Sequence, residues 1–336
     1  METTEDIVVS GIRSTGFLHL GNYYGAVKQF LDMQENYECY FFIADLHSLT
    51  THPNPEAFFE NTRQVLAEYL ACGLDPEKAV IYRQSDIKEI TELYLYFNMI
   101  AYLGELERVP TFKEKARQQP ENVNAGLLTY PTLMASDILI HKGTKVPVGK
   151  DQEQNLEMAR KFARRFNHMY EQEVFPEPMP FREGEKQLIK IPGLDGSGKM
   201  GKSEGEGNAI FLNDDPEVIR KKVMRAVTDS GPTAENQEKS DEIQNLFTLL
   251  HHISGQETHD HFDEQYRKAT IRYGDLKKQL AQDIIDFTEP LRERIREILA
   301  DPEYLRKVAT EGAEKARENA KMTIEEVRQA IGHQSF

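Results

Sequence analysis

Three glycines and two lysines crowd into Gly196-Ser197-Gly198-Lys199-Met200-Gly201-Lys202-Ser203. Residues of these types at this spacing gather backbone N–H and ammonium groups around phosphate. Glycine, four residues, then Gly-Lys-Ser satisfies the P-loop pattern, and the first six residues satisfy Gly-x-Gly-x-x-Gly. Both patterns require a helix to begin at once, because its N-terminus holds the anion. Here Ser203 leads into Glu204-Gly205-Glu206-Gly207-Asn208, where two glycines disfavour helix and two carboxylates repel phosphate. Leu188-Ile189-Lys190-Ile191 before the loop reads as a strand. The expected device is a mobile loop that carries Lys199 and Lys202 onto a triphosphate; a solvated surface loop is the plain alternative.

A second group lies between Leu127 and Leu139, whose spacing predicts a helix. Tyr130, Met134 and Asp137 stand at i, i+4 and i+7 and share one face. A carboxylate on an apolar face is expensive unless it meets a donor, either within the fold or from a ligand. Asp151, at the start of a further helix running to about Phe166, suits a ribose hydroxyl or simple capping.

These groups need a scaffold, and the chain order supplies one. Ile7-Val8-Val9 reads as a short strand ended by Ser10-Gly11, followed by a helical pattern over 22–34 and a buried strand Tyr40-Phe41-Phe42-Ile43-Ala44. A helix over 54–71, a strand at Ala79-Val80-Ile81-Tyr82 and a fourth strand at Val146-Pro147-Val148-Gly149 continue the alternation. Strand–helix–strand units argue for a parallel sheet that binds ligands at its carboxyl ends. The pattern over 89–107 is a long helix too apolar for one stripe, which suits a subunit contact or an ordinary core helix. Residues 215–336 are charged and helical. The expected division is an α/β parallel-sheet region over 1–214, a helical domain over 215–295, and C-terminal helices over 296–336 that return to the sheet.

Composition narrows the class. The chain has 336 residues, 39% of them apolar, enough for one large or two ordinary domains. No run of about 18 apolar residues exists to cross a membrane, and the acidic start Met1-Glu2-Thr3-Thr4-Glu5-Asp6 is unlike a secretory signal. Cys39 and Cys72 lack metal-ligand spacing and fit reduced thiols of a cytoplasmic protein. A net charge of −15 opposes nucleic acid, so any RNA contact must use local basic runs: Lys161-Phe162-Ala163-Arg164-Arg165, Arg220-Lys221-Lys222 with Arg225, or Arg267-Lys268.

Six segments in order resemble the bacterial-type tryptophanyl-tRNA synthetases, which are class I aminoacyl-tRNA synthetases. Arg13-Ser14-Thr15-Gly16 with His19-Leu20-Gly21-Asn22 resembles the first class signature, with Asn at its last position. Gly104 to Arg108 with Phe112 to Lys115 resembles the lysine-bearing segment. Leu127 to Pro131 with Met134 to Asp137 resembles the amino-acid pocket, and Val146 to Gln152 the ribose segment. Pro192 to Gly196 leads into Lys199-Met200-Gly201-Lys202-Ser203, one residue from the Lys-Met-Ser-Lys-Ser loop, and Ala226 to Ser230 matches further on.

The resemblance implies an α/β Rossmann-like catalytic domain over 1–214, a helical anticodon-binding domain over 215–295, a homodimer, and ATP with Mg²⁺ that enters on the nucleotide rather than on protein ligands. Tryptophan would be activated to an adenylate and passed to the terminal adenosine of tRNA(Trp). Lys115, Lys199, Lys202 and Ser203 would serve the reacting phosphates. ATP would meet Arg13, Ser14, Thr15, His19, Gly21, Asn22, Gly149, Lys150, Asp151, Leu188, Met200 and Gly201. The tryptophan pocket would comprise Asp137 as acceptor of the indole N–H, Tyr130 and Gln152 toward the α-amino group, His47, and the apolar Met134, Val9, Val146 and Val148. Met134 stands where the tyrosine-specific relatives carry Gln, which favours the larger ring. Gly201 departs from the usual Ser, and Arg13 from a common Gln. The competing expectations are a tyrosine-specific relative, a P-loop NTPase, or an idle tRNA-binding relative.

Overall fold

The computed structural model describes residues 6–118, 120–149, 152–181, 189–201 and 207–333. The expectations at Lys150, Asp151, Leu188, Lys202 and Ser203 lie outside the described residues. Five parallel strands, β1 (Ile7–Arg13), β2 (Glu38–Ala44), β3 (Val80–Arg83), β4 (Lys145–Val146) and β5 (Met179–Pro180), form one sheet in the order β3-β2-β1-β4-β5. Parallel strands are covered on both faces, which is why β2 is a continuous apolar run. Alternation divides the core: Val8, Phe41 and Ile43 face one layer with Phe30 and Leu70, while Val9, Tyr40 and Phe42 face the other with Phe97, Phe162 and Phe166.

β1 runs through Ser10-Gly11, where the sequence suggested an end. Glycine is needed there because a Cβ at position 11 would come within 2.6 Å of the Phe42 ring. The crossover from β1 to β2 is helical but irregular, with a π turn at Tyr23–Val27 between Leu20–Asn22 and Lys28–Met33. The crossover from β2 to β3 is the helix Pro55–Cys72, started by the Asn54 side chain, which accepts the Glu56 and Ala57 N–H groups, and ended at Gly73 with φ +109°.

Other expectations needed correction: the helix read over 127–139 is two, Ala125–Leu128 and Tyr130–Leu139, and the fourth strand is Lys145–Val146. The apolar stretch 89–107 breaks at Ala101-Tyr102 into Lys88–Ile100 and Leu103–Leu106. Residues 189–191 are not a strand, although the Met200 N–H still bonds the Ile191 carbonyl at 2.8 Å. β5 escaped notice because two residues, one of them proline at the sheet edge, carry no pattern.

The topology reverses between β1 and β4, which opens a crevice at the carboxyl ends of the strands. Helices Pro216–Met224, Asp241–Ile253, Gly255–Arg267 and Tyr273–Ala300 extend the first layer, and the last of these runs through residue 295. The final helix, Pro302–Ala330, lies on the second layer beside β3. Arg317 Nη2 donates to the Asp86 carbonyl at 2.9 Å, and the Asn319 amide oxygen meets buried His141 at 2.8 Å. Among the described residues no helix is long and apolar enough to cross a membrane.

Candidate active site

The helix Tyr130–Leu139 begins beside the crevice with Pro131 in its first turn and buries Asp137 completely. The Asp137 Oδ2 lies 2.8 Å from His47 Nε2, and Oδ1 accepts from Gln84 Nε2 at 2.7 Å. Burial pushes the Asp137 carboxyl above the ordinary range, and the His47 and Gln84 hydrogen bonds pull it back. His47 follows β2 in the short helix Asp45–Ser48, and Gln84 follows β3, so adjacent strand ends present both donors to one carboxylate. His47 Nδ1 is buried and has no hydrogen-bond partner among the described residues.

A line of side chains runs outward from this centre. The His47 and Tyr130 rings are 4.4 Å apart, and Lys115 Nζ lies 3.7 Å from the Tyr130 ring centroid. Burial pushes the Lys115 ammonium down to about 8; the neighbouring Arg13 charge adds to this, and Glu114 opposes it. Arg13 ends β1 in register with Ala44. Next to it Ser14 is buried and bonds the Ser48 hydroxyl at 3.2 Å, whereas Thr15 is exposed. Val9 and Val146 are buried in the layer that also holds Met134 and Val148. Gln152 accepts from Asn155 Nδ2 at 2.8 Å and donates its own N–H to the Gly149 carbonyl at 2.9 Å.

The opposite wall is built from His19 to Asn22. The Asn22 N–H donates to His19 Nδ1 at 3.2 Å, and Asn22 Oδ1 accepts the His19 N–H at 3.1 Å, a reciprocal cap. Gly21 lies against this cap and the glycine loop: a Cβ there would come within 2.9 Å of His19 Nδ1 and 3.3 Å of Met200 Cβ. Met200, expected to meet ATP, is buried in the first layer, while Lys199 is exposed.

Several residues that hold these groups were not singled out in the sequence. Gln84 is one. Glu68, fully buried, takes the Leu18 N–H at 2.7 Å and so anchors the segment before His19. Asn208 donates to Asp195 Oδ1 at 2.6 Å and Ser197 Oγ at 2.8 Å, and accepts the Gly201 N–H at 3.0 Å. Asn245, from the helical region, donates to the Gly196 carbonyl at 3.1 Å. A lone amide in a loop or at a strand end leaves no periodic signal; only its buried partners reveal it.

The basic runs proposed for RNA are largely neutralised. Arg165 is bidentate to Glu105 and covers the Tyr102 ring, and Arg164 bonds Glu157. Lys222 is held by Asp214, Arg267 by Asp263 and Lys268 by Glu264.

Comparison with known proteins identifies the family. The family described as tRNA synthetases class I (W and Y) matches residues 1–289. A tryptophan–tRNA ligase of Porphyromonas gingivalis is 65% identical over 327 residues, covering 97% of this chain and 99% of its own. The crystal structure of a Campylobacter jejuni tryptophanyl-tRNA synthetase complexed with ADP and tryptophan superposes with a TM-score of 0.84 at 32% identity, over 97% of this chain and 99% of that one. The Mycoplasma pneumoniae tryptophanyl-tRNA synthetase gives 0.84 at 30% identity, with 98% of each chain covered. The chain belongs to the class I tRNA synthetases of the tryptophan and tyrosine family.

Proposed function

We propose that the protein is a tryptophan–tRNA ligase. The tryptophan carboxylate attacks the α-phosphorus of ATP, pyrophosphate leaves, and the acyl group passes to the terminal adenosine of tRNA(Trp) with release of AMP. The observation that carries this reading is the buried carboxylate of Asp137, fixed by His47 and Gln84 in the layer that also holds the apolar Val9, Met134, Val146 and Val148. An indole N–H has a matching acceptor there, and a site built around a buried acceptor rejects ligands that lack the donor.

The carboxylate is already an adequate nucleophile, so the protein's task is positioning and charge management. Lys115, Lys199 and Lys202 offset the triphosphate charge, and Ser203 serves the same phosphates. Arg13, Ser14, Thr15, His19, Gly21, Asn22, Met200, Gly201 and Leu188 line the nucleotide, and Gly149, Lys150 and Asp151 take its ribose. Tyr130 and Gln152 meet the α-amino group. Mg²⁺ enters with ATP, where it neutralises phosphate charge. Residues 1–214 form the catalytic domain, 215–295 the anticodon-binding region, and 296–336 the returning helices. Exposed Leu95, Met99, Tyr102 and Leu103 cluster where Lys88–Ile100 ends, which supports a homodimer contact there. The setting of this reaction is the cytoplasm.

The test is pyrophosphate exchange into ATP with each of the twenty amino acids offered separately. Exchange with tryptophan alone, lost in Asp137→Ala, is expected. Exchange with tyrosine would reassign the pocket to a phenol, and ATP hydrolysis independent of any amino acid would overturn the ligase.

A further inference from the structure

Two buried polar junctions join β3 to the segment that carries Asp137. In the first, Gln84, just past the end of β3, donates to Asp137. The second repeats the pairing deeper in the same layer. Tyr82 stands two residues before Gln84, and its hydroxyl lies 2.9 Å from Nε2 of His141, four residues after Asp137. Tyr82 and His141 are both fully buried. Burial, and after it the Asp137 charge, push the Tyr82 hydroxyl well above its ordinary range, so the two junctions share one environment.

The other side of the imidazole belongs to the last helix. The Asn319 amide oxygen lies 2.8 Å from His141 Nδ1. With an oxygen facing it, Nδ1 carries the hydrogen, and Nε2 accepts the Tyr82 hydroxyl. Burial pushes the imidazole down to about 4, which keeps it neutral, and the Tyr40 ring stacks on it with centroids 4.2 Å apart. The last helix is also seated on β3 at Gly312, where a Cβ would fall on the Ile81 carbonyl. An apolar ring at position 141 would avoid the cost of burying an imidazole. What a fully paired polar junction adds is a single geometry.

We propose that His141 is a positioning residue for tryptophan selection: with Tyr82 and Asn319 it locks the segment bearing Asp137 to β3, so that the last helix sets where the acceptor meets the indole N–H. This rests on the ligase reading above. A displaced carboxylate leaves the apolar contacts of the bicyclic ring in place and weakens the one directional bond. The junction therefore acts on the preference for an N–H donor and not on the nucleotide.

The experiment is pyrophosphate exchange by the full chain with L-tryptophan and with its benzothiophene analogue, in which sulfur replaces the indole N–H. Wild type is compared with Tyr82→Phe, Asn319→Leu, His141→Leu and His141→Gln, and circular dichroism melts verify that each is folded at the assay temperature. The readout is the ratio of kcat/KM for the two amino acids, which a general loss of folded protein does not move.

Tyr82→Phe and Asn319→Leu should each lower the ratio about three- to tenfold, with the KM for ATP close to wild type. His141→Leu should fall at least as far, and His141→Gln, whose amide oxygen can accept from Tyr82, should recover part of the loss. A wild-type ratio in folded Tyr82→Phe and Asn319→Leu would overturn the proposal, however much stability they lose and even if both amino acids weaken together. So would a wild type that does not prefer tryptophan to the analogue. Should His141→Leu not fold, the two variants that each remove one bond decide alone. A wild type without tryptophan-dependent exchange would instead sink the ligase reading.

Discussion

The Gln84 amide is joined to Asp137 at 2.7 Å and can point only one way. Its oxygen already accepts the Leu46 N–H at 3.0 Å and the His47 N–H at 3.4 Å, so its nitrogen must face the carboxylate. One side chain thereby ties the backbone after β2, which carries His47, to the acceptor on the helix Tyr130–Leu139. Asp137 is left with both oxygens anchored and with lone pairs to spare for a ligand donor.

Gln84→Met keeps the length of this side chain and removes both functions. Among the described residues the Asp137 carboxyl then has His47 as its single side-chain donor and is free to rotate. A hydrogen bond to a buried charged group is worth about 1.5–3 kcal/mol, so the KM for tryptophan should rise about tenfold or more. Because Gln84 touches neither ATP nor the reacting atoms in this scheme, the KM for ATP should stay close to wild type. Exchange kinetics with each substrate varied in turn check this. An unchanged KM for tryptophan would show that Asp137 needs no second anchor.

The Lys115 ammonium supplies a pH dependence with a definite sign. Burial and the Arg13 charge hold it down to about 8, against an ordinary 10.5. It must be protonated to offset phosphate charge, so kcat/KM for ATP should fall as pH rises through about 8 in the free enzyme. Lys115→Arg, whose guanidinium stays charged, should flatten that limb. Stability moves the other way. Between about 8 and 10.5 the unfolded chain binds the proton that the folded chain does not, so this group's contribution rises with pH across that window. A descending limb that persists unchanged in Lys115→Arg would assign it to another group.

The close fit between the last helix and the sheet gives a stability prediction. A Cβ at Gly312, on the helix Pro302–Ala330, would fall on the Ile81 carbonyl of β3. Backbone on both sides leaves no flexible side chain to yield. Gly312→Ala should therefore lose about 1–3 kcal/mol, despite the higher helix propensity of alanine. Denaturant unfolding measures it, and a stabilised variant would show that this helix is not seated against β3 as described.

How much of this was legible follows from what each residue had to do. β1 and β2 were legible as elements because strands buried on both faces must be apolar throughout, and Val8 to Val9 and Tyr40 to Ala44 are. Asp137 was legible because a carboxylate between Tyr130, Met134 and Leu139 has no reason to be there without a donor. Gln84 and Glu68 were not, since a polar residue at a strand end or in a helix reads as solvated until the fold closes over it. The break at Ala101-Tyr102 was hidden because apolar residues continue across it, and no glycine or proline lies between Ile100 and Leu103.

The glycine loop offers the last test. Asn208, buried beneath it, satisfies Asp195 and Ser197 with its amide nitrogen and the Gly201 N–H with its oxygen. It therefore fixes the turn on either side of Lys199. Asn208→Ala removes all three bonds and leaves buried groups unpaired. Asn208→Asp keeps an acceptor for Gly201 but sets a second carboxylate against Asp195. If the turn holds Lys199 in place for the triphosphate, both variants should raise the KM for ATP by about tenfold. Neither should change the affinity for tryptophan, whose pocket lies across the crevice. Asn208→Asp should be no milder than Asn208→Ala, since a second charge at 2.6 Å is repulsive. ATP-dependence of exchange at saturating tryptophan decides the matter. A wild-type KM for ATP in both variants would mean that Lys199 is positioned without this turn.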